Sequence, residues 1–177
     1  ESAVASFQYQ ATDSHSAASN IGTVDVTVHG VNDIVSVTSG AQSGLVIEDT
    51  PGSASATGAV AFTDVDLSDT HTAAFAAAAG NTTALGTFEL DPVSEAANAA
   101  SGSVGWTYAI DNAAAQYLAE GQEVTETYTV TIGDGHGSTT TQDVVVTIKG
   151  TNDGPVAVAD TNGTDTVVEA GGIANAD

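Results

Sequence analysis

Hydrophobic and polar residues alternate with a period of two in short runs along most of the chain. The clearest runs lie at residues 7–11, 24–28, 106–110, 128–132 and 144–148. Alternation of this kind indicates strands with one buried face and one solvated face. Large apolar side chains fall on one face of these strands, so we expect that face to form the core.

Shorter runs of the same type lie at 34–37, 45–47, 59–62, 72–75 and 86–90. Trp106, Tyr108 and Ile110 share one face of their strand, and we expect them to supply much of the core because each large aromatic buries about 150–250 Å². Seven or eight short strands with turn residues between them predict an antiparallel β-sandwich.

One stretch favours a helix. Asp111 or Asn112 is a suitable N-cap, the residues from Ala113 to Glu120 are rich in alanine, and Gly121 is a suitable terminator. We expect Tyr117 and Leu118 to lie across one end of the sandwich.

The chain repeats itself. Residues 7–15 align with residues 128–136 at a shift of 121 residues (134 − 13), and residues 23–33 align with residues 143–153 at a shift of 120 (153 − 33). Further on, Val167-Val168-Glu169 repeats the pattern of Val46-Ile47-Glu48.

This periodicity divides the chain into three parts. We predict the C-terminal part of one repeat over 1–33, a complete repeat over 34–153, and the N-terminal part of a third over 154–177. A unit of about 120 residues is large enough to have its own core, so the repeats are separate globular domains rather than turns of a solenoid.

Two segments carry a family resemblance: WTYAIDNAAAQYLAEGQEVTETYTV, and GDGHGSTTTQDVVVTIKGTNDGPVA close behind it. Together they resemble the VCBS repeat, a cadherin-like, immunoglobulin-type module of very large bacterial surface and secreted adhesins. The resemblance implies tandem Ig/cadherin-like β-sandwiches in an extracellular or cell-surface protein.

Composition is strongly one-sided, with 23 Asp and Glu residues against one Lys or Arg and a formal net charge of −22. Nucleic acids and anionic membrane surfaces need a cationic face, so neither is an expected partner.

No apolar run approaches the roughly 20 residues that cross a bilayer. The chain has no Cys, which excludes disulfides and zinc–thiolate sites.

Acidic residues concentrate at strand ends, in one loop and in two linkers. Glu48-Asp49 ends a strand, Asp64-x-Asp66-x-x-Asp69 fills a loop, and Asn32-Asp33 and Asn152-Asp153 close the repeats. Calcium binds six to eight oxygen ligands in flexible geometry, and an Asp-x-Asp loop can direct two carboxylates at one ion. Asp and Asn are also common turn residues that bond their own backbone, so each position has a purely structural alternative.

The resemblance implies where these ligands would meet. In cadherin-like modules the calcium ions lie at the junction of consecutive domains. One junction would join Asp13, Asn32 and Asp33 to Asp64 and Asp66 of the next repeat, and a second would use Glu48, Asp134, Asn152 and Asp153. The complete set of candidate calcium ligands is Asp13, Asn32, Asp33, Glu48, Asp49, Asp64, Asp66, Asp69, Asp134, Asn152 and Asp153.

No catalytic motif is present. Asp134-Gly135-His136-Gly137 is typical of a hairpin turn with positive φ, and we interpret His29 and His71 as surface or strand residues rather than zinc ligands. Phosphate loops, nucleophile elbows and zinc-protease motifs are absent from the sequence. We therefore expect a non-enzymatic protein.

Together with the acidic pattern, the resemblance implies a calcium-stiffened extender segment of a secreted or cell-surface bacterial adhesin that projects a distal binding domain, with adjacent repeats of the same chain as its partners. The alternative is a subunit of an extracellular filament or sheath, held together by homotypic strand addition. A carbohydrate-binding module is the weakest reading, because the few aromatics occupy strand-interior positions.

Overall fold

The computed structural model describes residues 2–155 and residue 157. The predicted third repeat over 154–177, including Val167-Val168-Glu169, lies almost wholly outside this part of the chain. The strands are β1 (Ser2–Tyr9), β2 (Gly22–His29), β3 (Ser36–Val37), β4 (Gln42–Ile47), β5 (Ser55–Thr63), β6 (Thr72–Ala77), β7 (Gly86–Leu90), β8 (Ser94–Glu95), β9 (Ser101–Ile110), β10 (Glu123–Gly133) and β11 (Thr139–Lys149). A 3-10 turn (Pro51–Ser53) and a one-turn helix, α1 (Asn112–Ala115), complete the described elements.

Strands β3 to β11 form a two-sheet sandwich. One sheet has the order β4-β11-β10-β6, and the other has the order β3-β5-β9-β7 with β8 paired to β9. These orders correspond to the CFG and ABED sheets of an immunoglobulin-type sandwich. The predicted all-β, Ig/cadherin-like β-sandwich is confirmed. Its one departure from antiparallel pairing is β4, which lies parallel to β11.

Aromatic side chains fill the space between the sheets. Trp106 and Tyr108 are 1% and 0% exposed, as the alternation of β9 predicts, and Ile110 packs on the same core from a partly buried position. Phe88 stacks between Trp106 and Tyr128, with ring centroids 5.9 Å and 4.5 Å away. The inward-facing Val and Ile side chains of β10 and β11 complete this core.

The helix is shorter than the sequence predicts. Asp111 caps it, accepting a hydrogen bond from the Ala113 N–H at 3.1 Å, but helical structure ends at Ala115. The chain then turns so that Leu118 is buried while Tyr117 remains exposed. Gly150, the residue after β11, packs so closely on this turn that a Cβ there would overlap Leu118 and the Ala119 carbonyl.

Strands β1 and β2 form a separate hairpin that pairs only with itself among the described residues. Its turn copies the turn between β10 and β11. Asp13 Oδ1 accepts the N–H groups of residues 15 and 17 at 2.8 and 2.9 Å. Asp134 Oδ1 accepts those of residues 136 and 138 at 2.8 and 3.0 Å. The aligned sequence segments therefore fold into the same local structure.

The two hairpins differ in what surrounds them. Phe7 and Tyr9 are 56% and 57% exposed, whereas the aligned Tyr128 and Val130 are buried. The difference arises because β10 and β11 lie between β6 and β4, while the first hairpin has no flanking strand within residues 2–155.

No helix in the described part of the chain is long and apolar enough to cross a membrane.

Candidate metal centre

Acidic side chains converge where the linker from the first hairpin meets the sandwich. We call this group the linker cluster; its members are Asn32, Asp33, Asp64, Asp66, Asp69 and Asp134. Three of its carboxylates, those of Asp64, Asp69 and Asp134, each place an oxygen within 4.8 Å of the other two. Asp64 and Asp134 are buried, at 4% and 0% exposure.

The loop after β5 positions the first carboxylates of the cluster. Asp64 Oδ1 accepts the Asp66 N–H at 3.0 Å, and the Asp66 carbonyl accepts the Asp69 N–H at 3.0 Å. These bonds are the local turn contacts expected of Asp-rich loops. They fold the loop so that Asp64 and Asp69 face the same space.

The β10–β11 turn supplies Asp134. The Asn32 amide donates to Asp134 Oδ2 at 3.0 Å and, with the backbone N–H groups of His136 and Ser138, holds the pKa of Asp134 well below its usual value although burial raises it. Asp134 therefore stays ionised beside two other carboxylates.

The linker itself closes the site. Besides the Asn32 contact, the Asp33 N–H donates to Asp66 Oδ2 at 2.6 Å, and the Val35 N–H donates to Ser138 Oγ at 3.1 Å. Two residues that precede the sandwich in the chain thus contact both acidic loops of the sandwich. A cation bound here would be shared between linker and domain.

One buried carboxylate oxygen in the cluster has only a histidine beside it. Asp69 Oδ2 accepts no well-aligned hydrogen bond among the described residues and lies 3.1 Å from His136 Nδ1, and the Asp69 side chain is only 7% exposed. Buried polar atoms are nearly always satisfied, so this oxygen retains acceptor capacity that a cation could use.

The sequence did not predict that His71 contacts Asp64. His71 has a side chain only 4% exposed; its Nδ1 lies 2.7 Å from Glu95 Oε2 and its Nε2 lies 3.3 Å from Asp64 Oδ2. The interpretation of His71 as a simple surface or strand residue is therefore incomplete. The one sequence feature that points to this contact is the position of His71, two residues after the Asp64-x-Asp66-x-x-Asp69 loop.

A second acidic group lies at the other end of the four-stranded sheet, and we call Glu48, Asp49 and Asp153 the strand-end cluster. The two groups flank β11, whose ten residue steps at about 3.3 Å each separate them by about 30 Å. Glu48 is fully buried; its Oε1 accepts the Thr151 N–H at 2.8 Å, while Oε2 has no hydrogen-bond partner in the described residues.

The other two carboxylates of this cluster influence each other. Hydrogen bonds from Asn112 and Gln116 lower the pKa of Asp49. Burial raises the pKa of Asp153, and the nearby Asp49 raises it further. Two carboxylates close enough to shift each other's pKa are a place where a cation would relieve repulsion.

The structure regroups two of the predicted ligands. The family resemblance places Asp134 with Glu48 and Asn152, but it lies in the linker cluster beside Asn32. The resemblance also places Asp13 with Asn32, but it lies in the turn of the first hairpin, at the opposite end of β2. The reason is the same in both cases. An Asp in the turn between two antiparallel strands is one strand length away from the linker that follows the second strand.

The other candidate ligands divide between the two clusters. Asn32, Asp33, Asp64, Asp66 and Asp69 meet in the linker cluster. Glu48, Asp49 and Asp153 meet in the strand-end cluster, and the exposed Asn152 lies next to it in the chain. Whether these residues hold calcium remains a prediction.

The linker cluster fits a hard divalent cation. Carboxylate oxygens and an amide carbonyl are the donors that calcium takes, and it tolerates irregular geometry. Asp64, Asp69 and Asp134 would hold the ion, with Asn32 and Asp66 at the linker side. The ion would supply positive charge to a region that the chain's single lysine cannot reach, since Lys149 lies at the other end of β11.

Comparisons with known proteins give no family assignment. No family model matches the chain, and no curated protein matches it. Several solved structures are similar. Three of them are the secreted serine protease VesC from Vibrio cholerae (15% identity, TM-score 0.39), mouse clustered PcdhgC3 EC1-3 (12%, 0.44) and the ASH/PapD-like domain 7 of human CEP192 (10%, 0.40).

These similarities cover 65%, 83% and 70% of this chain and 23%, 42% and 89% of the three others, in the same order. The chain therefore spans less than half the length of the first two. With all three TM-scores below 0.5, the similarities carry no argument about function.

Proposed function

We propose that this chain is a calcium-stiffened extender segment of a secreted or cell-surface bacterial adhesin of the VCBS type. One observation carries the proposal: linker residues Asn32 and Asp33 contact the carboxylates of the following sandwich in the linker cluster. A site built from both sides of a junction is suited to fixing the angle between them. The protein performs no catalysis in this role.

The mechanism is electrostatic. Three carboxylates lie within 4.8 Å of one another, and the chain has a large negative net charge. Like charges held together oppose the compact arrangement. A divalent ion removes that repulsion and joins the linker to the loop after β5 and to the β10–β11 turn. The junction then becomes stiff when calcium is present.

The repeated hairpin supports a tandem arrangement. Strands β1 and β2 have the register and the Asp turn of the β10–β11 pair, but their apolar face is exposed. A preceding repeat would bury Phe7 and Tyr9, and the strand-end cluster of one repeat would then approach the linker cluster of the next.

Thermal unfolding with EDTA and with millimolar calcium tests the proposal. A ligand that binds only the folded state raises Tm as its concentration exceeds Kd. We expect a calcium-dependent rise in Tm that is lost in Asp69→Asn and retained in Glu89→Gln, a charge-matched control on the exposed face of β7. Sodium chloride at equal ionic strength separates binding from screening. An unchanged Tm in calcium would exclude a cation-locked junction.

A filament subunit is the second candidate, and the exposed first hairpin favours it. Val4, Phe7, Tyr9 and Val28 are each more than half exposed, and both hairpin edges are unpaired within the described residues. Such edges are templates for strand addition. Electron microscopy across protein concentrations distinguishes the candidates: concentration-dependent fibres support the filament, and single rods support the extender.

A further inference from the structure

The Asp–Gly dipeptide occurs twice in the sequence, at Asp134–Gly135 and at Asp153–Gly154. In such a dipeptide the glycine nitrogen can attack the side-chain carbonyl carbon of the aspartate. Glycine favours this attack because it has no Cβ to crowd the nitrogen and its backbone is free to adopt many conformations. The structure places the two dipeptides in opposite environments.

Asp134–Gly135 is held in the turn between β10 and β11. Asp134 is fully buried, and its Oδ1 accepts the N–H groups of His136 and Ser138 at 2.8 and 3.0 Å. Its Oδ2 accepts the Asn32 amide at 3.0 Å. Attack by the Gly135 nitrogen would require the carboxylate to leave all of these hydrogen bonds, and local opening of that kind costs free energy.

Asp153–Gly154 lies in the linker after the sandwich, outside any helix or strand, and both residues are exposed. A Cβ at Gly154 would have no atom within 4 Å, so the space around this residue is open. The Asp153 carboxyl lies near that of Asp49, and no backbone N–H in the described part of the chain donates to it. The carboxyl group is therefore able to turn toward the Gly154 nitrogen.

The first linker differs at the aligned position. Asp33 aligns with Asp153, but the residue that follows it is Ile34 rather than glycine. A β-branched side chain is stiff and crowds the adjacent backbone, and the Asp33 N–H is held by Asp66 Oδ2 at 2.6 Å. Of the two linkers, the second alone combines an unrestrained aspartate with a following glycine.

We propose that Asp153–Gly154 is a site of spontaneous succinimide formation and conversion to isoaspartate. In the first step the Gly154 nitrogen bonds to Asp153 Cγ, and one carboxyl oxygen leaves as water with the carboxyl proton and the amide proton. In the second step water adds to one of the two ring carbonyls. Breaking the N–Cγ bond restores aspartate, whereas breaking the bond from nitrogen to the main-chain carbonyl carbon gives isoaspartate. Water is the only co-reactant, and nothing is oxidised or reduced.

The product changes the linker itself. In isoaspartate the main chain passes through the side-chain methylene, so the linker gains one backbone atom between Asn152 and Gly154. The carboxylate is then attached directly to Cα and no longer has the reach that places it near Asp49 in the strand-end cluster. The reaction needs no metal ion, so the inference goes beyond the proposed function and does not depend on it.

The single lysine of the chain makes the test simple. Cleavage after Lys149 separates Asp134–Gly135, in fragment 1–149, from Asp153–Gly154, in fragment 150–177. The full 177-residue chain is incubated in EDTA at mildly acidic pH below its Tm, cleaved, and labelled with protein isoaspartate methyltransferase. Electron-transfer fragmentation then assigns the product to a residue, since Asn162–Gly163 in the second fragment can also form isoaspartate.

We expect the folded chain to accumulate at least about tenfold more isoaspartate at position 153 than at position 134, because opening of the turn limits the second reaction. In the urea-unfolded chain the two positions should agree within about twofold, because the dipeptides are the same. Gly154→Ile, which copies the first linker, should abolish the product at position 153. Its side chain enters open space, so Tm should be unchanged. The product at Asn162 is the matched control within the same fragment and should persist.

Three results would overturn the inference. Equal amounts at positions 134 and 153 in the folded chain would mean that burial and hydrogen bonding do not select between the dipeptides. Reaction at position 153 only after unfolding would mean that the linker is restrained in the folded chain. Product that persists at position 153 in Gly154→Ile would mean that the glycine nitrogen is not the group that attacks.

Discussion

At the residue scale, Glu126 shows how hydrogen bonds accommodate a carboxylate in the core. It is fully buried on β10 and accepts four hydrogen bonds, from Thr83 Oγ1 at 2.9 Å, the Leu85 N–H at 2.7 Å, and the hydroxyls of Tyr108 and Tyr128 at 3.0 and 2.8 Å. Burial and this carboxylate raise the pKa of both tyrosines. The network attaches the loop before β7 to the opposite sheet.

Two substitutions at Glu126 distinguish the contribution of its negative charge to stability from that of its hydrogen bonds. Glu126→Gln keeps one oxygen for Thr83 and Leu85, and the tyrosine hydroxyls can rotate to accept from the amide, so we expect a loss of about 1–2 kcal/mol in unfolding free energy. Glu126→Ala leaves several buried donors unpaired beside a cavity and should cost more than about 3 kcal/mol. Urea unfolding measures both. Equal losses would mean that the negative charge, rather than the number of hydrogen bonds, carries the stabilisation.

Asp134 predicts a pH dependence at the same scale. Its pKa is lowered in the folded state from an ordinary value of 3.8, chiefly by the Asn32 amide. A depressed carboxyl pKa stabilises the fold above pH 3.8, and the contribution is lost as pH falls below that value toward the folded-state pKa.

Unfolding curves in EDTA should therefore show wild type more stable than Asp134→Asn at neutral pH, with the difference shrinking as pH falls below 3.8. Comparing the two proteins removes the contribution of the other acids. A difference that is constant from pH 6 to pH 2.5 would mean that Asp134 ionisation contributes nothing to folding.

At the scale of elements, the packing of β11 against the segment after α1 decides how the sandwich closes at the strand-end cluster. Gly150 is buried, its N–H donates to the Gln122 carbonyl at 2.8 Å, and its carbonyl accepts the Gly121 N–H at 3.1 Å. A Cβ at this position would overlap the Ala119 carbonyl and Leu118. The end of the last strand can therefore approach this segment only as glycine.

Gly150→Ala should destabilise the domain by about 1–3 kcal/mol because the backbone must move to admit the methyl group. Gly30→Ala is the matched control, since Gly30 aligns with Gly150 but is exposed. Thermal unfolding of both variants gives the comparison. A similar loss in both would show that glycine is needed for backbone conformation rather than for close packing.

At the scale of the whole molecule, one sequence pattern occurs in two environments. The β10–β11 hairpin is flanked by β6 and β4 and buries Val130, Ile132, Val144, Val146 and Ile148 completely. The β1–β2 hairpin has the same alternation and the same turn, but its side chains are mostly exposed. An isolated two-stranded hairpin is at best marginally stable.

Hydrogen exchange should separate the two hairpins clearly. We expect amides of β10 and β11 to exchange only on global unfolding and amides of β1 and β2 to exchange orders of magnitude faster, because local opening of an unsupported hairpin costs little free energy. Mass spectrometry of peptic fragments measures this at several protein concentrations. Slow exchange in β1 and β2 that disappears on dilution would indicate that another copy covers them.

Much of this architecture follows from local sequence patterns. The period-two runs predict the main strands and identify Trp106 and Tyr108 as core residues, since alternation reports which face of a strand is buried. The repeat alignment predicts that residues 7–33 form a hairpin like 128–153. Acidic residues at strand ends and linkers identify most of the two clusters.

Only the tertiary structure decided which acids meet, because that depends on the end of the sandwich at which each turn lies. Asp134 belongs with Asn32 because β11 carries the chain about 30 Å away before the next linker begins. Contacts between segments distant in sequence likewise produce the parallel pairing of β4 with β11, the burial of His71 between Glu95 and Asp64, and the approach of His136 to Asp69. Alternation along a strand determines which side chains point inward, but it carries no information about which strands become neighbours.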